Sequence, residues 1–220
     1  MSYGQYHLFS LSFILSISVS IRLPQFQRRM SLINFNQARL DEFNHVDLSH
    51  SLNDHTICWP NGESFSLCLE CSVSPDGSFY ASGNFQCAEH CGTHVDAPYH
   101  FNQKGITVDL LPLDTLMSDV FVIDIVAKCE DPNYILTSQD IIDFESFHGV
   151  LPKGTIVLIR TGWSRFYAQG AKAYLGFDSS IDGPYDVNSS TLSFPGIGVE
   201  AANLLVERKV AAVGLDTGNT

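Results

Sequence analysis

"GVEAANLLVERKVAAVGLD", residues 198–216, carries two different hydrophobic periods in succession. Val199, Ala202, Leu205 and Val206 recur at the spacing that gathers side chains on one face of a helix. "VAAVGLD" then becomes a short, continuous apolar run, the pattern of a strand covered on both faces. Upstream, "VFVIDIVA" (residues 120–127) and "GTIVLIRTG" (154–162) are further β-branched runs bounded by turn residues, and read as buried strands. Between them "TSQDIIDFESF" (137–147) opens on a helix-capping residue and sets Ile141, Ile142 and Phe144 for a short helix. Strands, helix, strand, then helix leading into strand predict an α/β fold with a mixed sheet. Asp216 ends what reads as a central strand. Further back, "SFSLCLEC" (64–71) alternates Phe65, Leu67, Leu69 and Cys71 with polar neighbours, which predicts a half-buried strand.

With 220 residues, the chain suits one domain over residues 31–220, large enough to bury a core. A formal charge of −12 and no basic stripe exclude nucleic acid as a partner, since phosphate contacts require clustered Lys and Arg. A small-molecule ligand is the expectation instead. Residues 1–30 stand apart: "HLFSLSFILSISVSI" (7–21) is uncharged and apolar, shorter than the ~20 residues of a membrane span. It reads as the hydrophobic region of a signal peptide, with Ser18 and Ser20 as small residues before cleavage, or as an unstructured extension ahead of Met30. Secretion is the localisation this predicts, with the cytoplasm as the alternative. Six cysteines permit disulfides or buried thiols, and Asn188-Ser189-Ser190 is a glycosylation sequon in a secreted chain.

The chemistry concentrates in "HCGTHVDAPYH", residues 90–100. His90, His94, Asp96 and His100 share one parity, so an extended chain points all four to the same side. A helix fails, because it would turn Asp96 about 200° from His94. A straight strand also fails, because four residues span roughly 13 Å, close to the limit for two imidazoles on one ion. The chain must therefore bend at Gly92, and Ala97-Pro98 must turn His100 back toward the same space. Three histidines and a carboxylate converging this way point to a divalent-metal site suited to zinc, with manganese as the alternative.

"HCGTHVDAPYHF" resembles the H-x-G-T-H-x-D-x-P-x-H-F signature of the metal-dependent cyclase family, which includes bacterial-type kynurenine formamidases and isatin hydrolases. "VDLSHSLNDHTICWPNGESF", "IRTGWSRF", "FPGIGVEAANLLVER" and "VAAVGLDT" resemble the family's other blocks in the expected order, over about residues 45–217. The resemblance implies a swivelling β/β/α-type layered domain and a homo-oligomer, dimer or tetramer. It assigns His90, His94 and Asp96 as metal ligands, with His100 as general acid/base and Trp59 as a substrate contact. The implied reaction is hydrolysis of an aryl amide such as N-formylkynurenine, placing the chain in tryptophan catabolism. The family continues past "GLDT" and draws a further His and Glu from there, so a C-terminally truncated form with a mononuclear site is expected.

A non-catalytic metal- or ligand-binding member, or an inactive truncated isoform, is the alternative. A zinc knuckle from Cys68, Cys71, Cys87 and Cys91 has unequal gaps and shares Cys91 with the histidine strip. "FPGIGVE" lacks the third glycine of a dinucleotide fingerprint. His45, His50, His55 and His148 lack partner spacing, and Asp216-Thr217 reads as equally suited to capping.

Overall fold

A computed structural model describes residues 46–60, 62–177 and 192–218. The expected signal peptide, His45 and the Asn188 sequon lie outside them. The elements run β1 (Ser66–Val73), β2 (Phe79–Gln86), β3 (Val120–Asp124), β4 (Ile135–Leu136), α1 (Ser138–His148), β5 (Ile156–Arg160), α2 (Ala171–Leu175), β6 (Gly196–Ile197), α3 (Val199–Arg208) and β7 (Ala212–Leu215).

The fold class is α/β, and parallel and antiparallel pairing occupy separate sheets. β3, β5 and β7 form a parallel sheet in that order, β4 pairs β6 in parallel, and β1 pairs β2 as an antiparallel hairpin. The mixed character is therefore spread over several sheets. Among the described residues β5 is central and β7 lies at an edge, correcting the central placement of "VAAVGLD". The reason is tertiary: the chain returns through α3 so that β7 pairs along the side of β5 opposite β3. β1, expected to be half-buried, is exposed along its whole length, as is β2.

Alternation along each strand divides the sheet into two faces. Ile123, Val157, Ile159 and Val213 point to one side and pack with Ile141 of α1 and Ala201 and Leu205 of α3. α1 starts where Thr137 accepts from the Asp140 amide while the Asp140 carboxylate accepts from the Thr137 amide, a reciprocal cap. Glu145 and Arg208 then tie α1 to α3 through paired contacts of 2.7 and 2.9 Å. The buried helix faces differ slightly from the expected ones: Ile142 of α1 and Val199 of α3 are exposed while Ala201 of α3 is buried. On the opposite face Val122, Leu158 and Gly214 are in register across the three strands. That face floors a cavity of about 480 Å³ that is also lined by Tyr174 and Leu175 of α2.

Candidate metal centre

Over this open face runs the histidine strip. Gly92 has φ +59°, the left-handed conformation that L side chains avoid, and it makes the expected bend. Backbone pairs hold the strip on both sides of the bend: the Trp59 amide donates to the His90 carbonyl, and the Gly92 amide donates to the Ile57 carbonyl, both at 2.8 Å. A Cys58–Cys91 disulfide locks the same crossing. That pairing removes Cys91 from any cysteine knuckle, and Cys68 and Cys71 are exposed free thiols. Pro98 opens a single 3-10 turn, Pro98–His100, that swings His100 back so its ring centroid lies 4.2 Å from that of His90.

The predicted ligands converge. His90 Nδ1 is 2.9 Å from Asp96 Oδ1, His94 Nε2 is 3.4 Å from the same oxygen, and the two ring nitrogens are 3.1 Å apart. His94 Nδ1 lies 3.0 Å from the Gly92 carbonyl; donating there leaves Nε2 as a lone-pair donor facing Asp96. Ligand atoms of His90, Asp96 and His100 also fall within 4.8 Å of one another, so His100 stands within ligating reach as well as at the edge of the cluster. Asp96 Oδ1 is buried and, despite its close nitrogens, has no aligned hydrogen bond. An orphaned buried carboxylate oxygen facing two imidazole nitrogens is poorly placed among neutral neighbours and well placed against a cation. Histidine nitrogens gathered on one buried carboxylate make a donor set chemically suited to a divalent metal.

The charges agree with that geometry. Burial works to raise the Asp96 carboxyl, but the facing His94, His90 and His100 outweigh it and hold its pKa below the ordinary value. Burial lowers His90, with Asp96 only partly opposing it. For His94 burial again works downward, yet Asp96 and the Gly92 carbonyl prevail and its pKa is raised. The cluster thus keeps Asp96 anionic and draws positive charge towards it.

Beside the cluster, the cavity is lined by Trp59, His90 and His94 together with aromatic and aliphatic side chains that include Ile57, Tyr174 and Leu175. The spacing of histidines gave no sign of His50, yet it lines this cavity with its ring flat on Tyr167, at 3.5 Å between centroids and 3° between planes. Burial lowers its pKa, favouring the neutral imidazole. The Tyr167 hydroxyl in turn accepts from the Ile57 amide at 3.2 Å. The stacking partner is far away in sequence, so only tertiary packing reveals the pair. Asp216 lines the cavity too, with its Oδ1 accepting from the Thr161 amide and hydroxyl at 2.7 and 2.6 Å. Its role is to fasten the end of β7 to the loop after β5.

Comparison with known proteins agrees with the α/β fold. Isatin hydrolase of Roseibium aggregatum is 32% identical over 154 residues, 65% of this chain and 54% of that protein. Kynurenine formamidase of Salinibacter ruber is 27% identical over 151 residues, 64% of this chain and 71% of that protein. Isatin hydrolase A from Ralstonia solanacearum superposes with a TM-score of 0.65 at 30% identity, covering 79% of this chain and 66% of that one. An isatin hydrolase bound to the product analogue thioisatinate matches with a TM-score of 0.64 at 28% identity, over 79% and 66% of the two chains. The chain thus spans about half the length of the first of these relatives. The family model "Cyclase", described as "Putative cyclase", matches residues 46–220, and the chain belongs to that family.

Proposed function

We propose that this chain belongs to a metal-dependent amidohydrolase that cleaves the C–N bond of an aryl amide, an aryl formamide such as N-formylkynurenine before others. The observation that carries the reading is the orphaned Asp96 Oδ1 between His90 Nδ1 and His94 Nε2, two histidines that also line a largely apolar cavity. Kynurenine formamidase and isatin hydrolase, the relatives' names, share an aryl amide as the bond attacked, which supports this substrate class.

His90, His94 and Asp96 hold the cation, zinc before manganese. When bound, it supplies Lewis acidity towards the amide carbonyl and lowers the pKa of water. Trp59, which lines the cavity, flanks the aryl ring with the flat apolar surface of its indole. His100, beside His90, accepts a proton from the attacking water and returns it to the leaving nitrogen, a task suited to imidazole. Water adds to the carbonyl carbon, the C–N bond breaks, and formate and an aryl amine leave. The Cys58–Cys91 disulfide supports an oxidising compartment, and we place the chain in the secretory pathway.

Formate release from N-formylkynurenine and formanilide, measured beside isatin opening and metal content, tests the reading. Turnover that follows metal loading and is lost in His100→Ala is the expected result. Stoichiometric metal binding with no turnover of any of them favours the ligand-binding alternative.

A further inference from the structure

Among the described residues that line the cavity, Arg160 is the only lysine or arginine. It ends β5 two places beyond Leu158, so strand alternation sets both on the cavity face. The carboxyl ends of parallel strands are where α/β folds receive their ligands. In a chain of net charge −12, a guanidinium at that place is a local reversal of sign.

Asp124, the register partner of Arg160 at the end of β3, accepts from its Nη1. These two side chains are 59% exposed for Arg160 and 51% for Asp124, and an ion pair so exposed adds little to stability. The bridge between Arg208 and Glu145 is built differently: Nε and Nη2 both bind a carboxylate whose side chain is only 7% exposed. In Arg160 that same pair, Nε and Nη2, has no hydrogen-bond partner among the described residues. Together they make the fork that grips a carboxylate by two parallel bonds. The cavity's other carboxylate does not compete for them. Asp216 already accepts from the Thr161 amide and hydroxyl and, at 3.3 Å, from the Ser164 amide.

We propose that Arg160 determines specificity by binding a carboxylate on the substrate, so that the cavity takes an aryl amide with an acidic side chain over a neutral one. The proposal rests on the amidohydrolase reading and adds a second point of attachment. The histidine cluster and Arg160 border one cavity of about 480 Å³, a size usual for small-molecule sites. Holding a substrate at two points orients its amide, where one point leaves it free to turn. N-formylkynurenine carries an α-carboxylate and isatin carries none, so Arg160 favours the first.

Turnover of N-formylkynurenine by the zinc-loaded chain, beside N-formylkynuramine, which lacks only the α-carboxylate, tests the proposal. The ratio of the two kcat/KM values is expected to favour the acid and to fall about 10- to 100-fold in Arg160→Gln, with the loss carried by KM. Arg160→Lys, a point charge without the fork, is expected to fall between. Asp124→Asn breaks the ion pair but keeps the guanidinium, so it is expected to hold the ratio. Calorimetric titration with L-kynurenine and kynuramine reads the same preference without turnover. The acid is expected to bind at least about tenfold more tightly, with the difference lost in Arg160→Gln. That preference without any hydrolysis supports this proposal and overturns the amidohydrolase reading. Hydrolysis that Arg160→Gln slows equally on both substrates does the reverse. A matching loss of the ratio in Asp124→Asn, or failure to bind either titrant, also overturns the proposal.

Discussion

The Nδ1 of His94 sits 3.0 Å from the carbonyl oxygen of Gly92, the residue that bends the strip. One glycine therefore performs two tasks: its left-handed backbone turns the chain, and its carbonyl selects the His94 tautomer that aims Nε2 at Asp96. Gly92→Ala tests both. A Cβ there would meet Thr56 Cγ2 at 3.2 Å and Leu52 Cδ2 at 3.3 Å, on top of the left-handed strain. A loss of about 1–3 kcal/mol is expected in denaturant unfolding, with metal affinity reduced about 10- to 100-fold in titration.

Removal of the metal separates the ligand set from the fold. Chelation is expected to lower Tm reversibly, and added zinc at about 100 times Kd to restore about 2.7 kcal/mol. His90→Ala and His94→Ala should lose bound metal in elemental analysis, together with the Tm response to zinc.

His100 stands both within ligating reach and beside the open side of the cluster. His100→Ala distinguishes these roles. Metal content is expected to persist while formate release falls by about 10²- to 10⁴-fold. Loss of the metal instead would make His100 a ligand.

Acid should weaken the α1–α3 layer. Burial raises the Asp140 carboxyl, but Lys128, Thr137 and Tyr134 prevail and lower it; Arg208 lowers Glu145. For carboxyls held below their ordinary values of 3.8 and 4.5, the stabilisation is complete above those values. It is lost as pH falls through the lower native values. Tm scanned from pH 7 to about pH 3 should fall steeply below about pH 4, and Asp140→Asn should flatten the slope while lowering the neutral-pH Tm.

Cys58 and Cys91 are 33 residues apart and join the Trp59 turn to the histidine strip at an isolated antiparallel bridge. Cys58→Ser, or reduction of the wild type, is expected to cost about 3–4 kcal/mol of stability. Thiol titration should rise from four to six groups on reduction.

Much of the centre was legible in residue order. His90, His94, Asp96 and His100 lie within one bent segment, and Gly92 and Pro98 state the bend in their own backbone preferences. The α/β class was legible too, because apolar period 2 and period 3.6 are properties of consecutive residues. His50 was not legible, since its meaning lies in Tyr167, a partner supplied by a distant turn.

By itself, then, the sequence marked β1, β3, α1, β5, α3, β7 and the place of the kink, all set by local sterics and short spacing. Tertiary structure alone decided that β7 takes an edge, that Cys58 meets Cys91, and that Leu67, Leu69 and Phe85 stay bare. Alternation marks which side of a strand is apolar, but whether anything covers that side depends on where the rest of the chain goes.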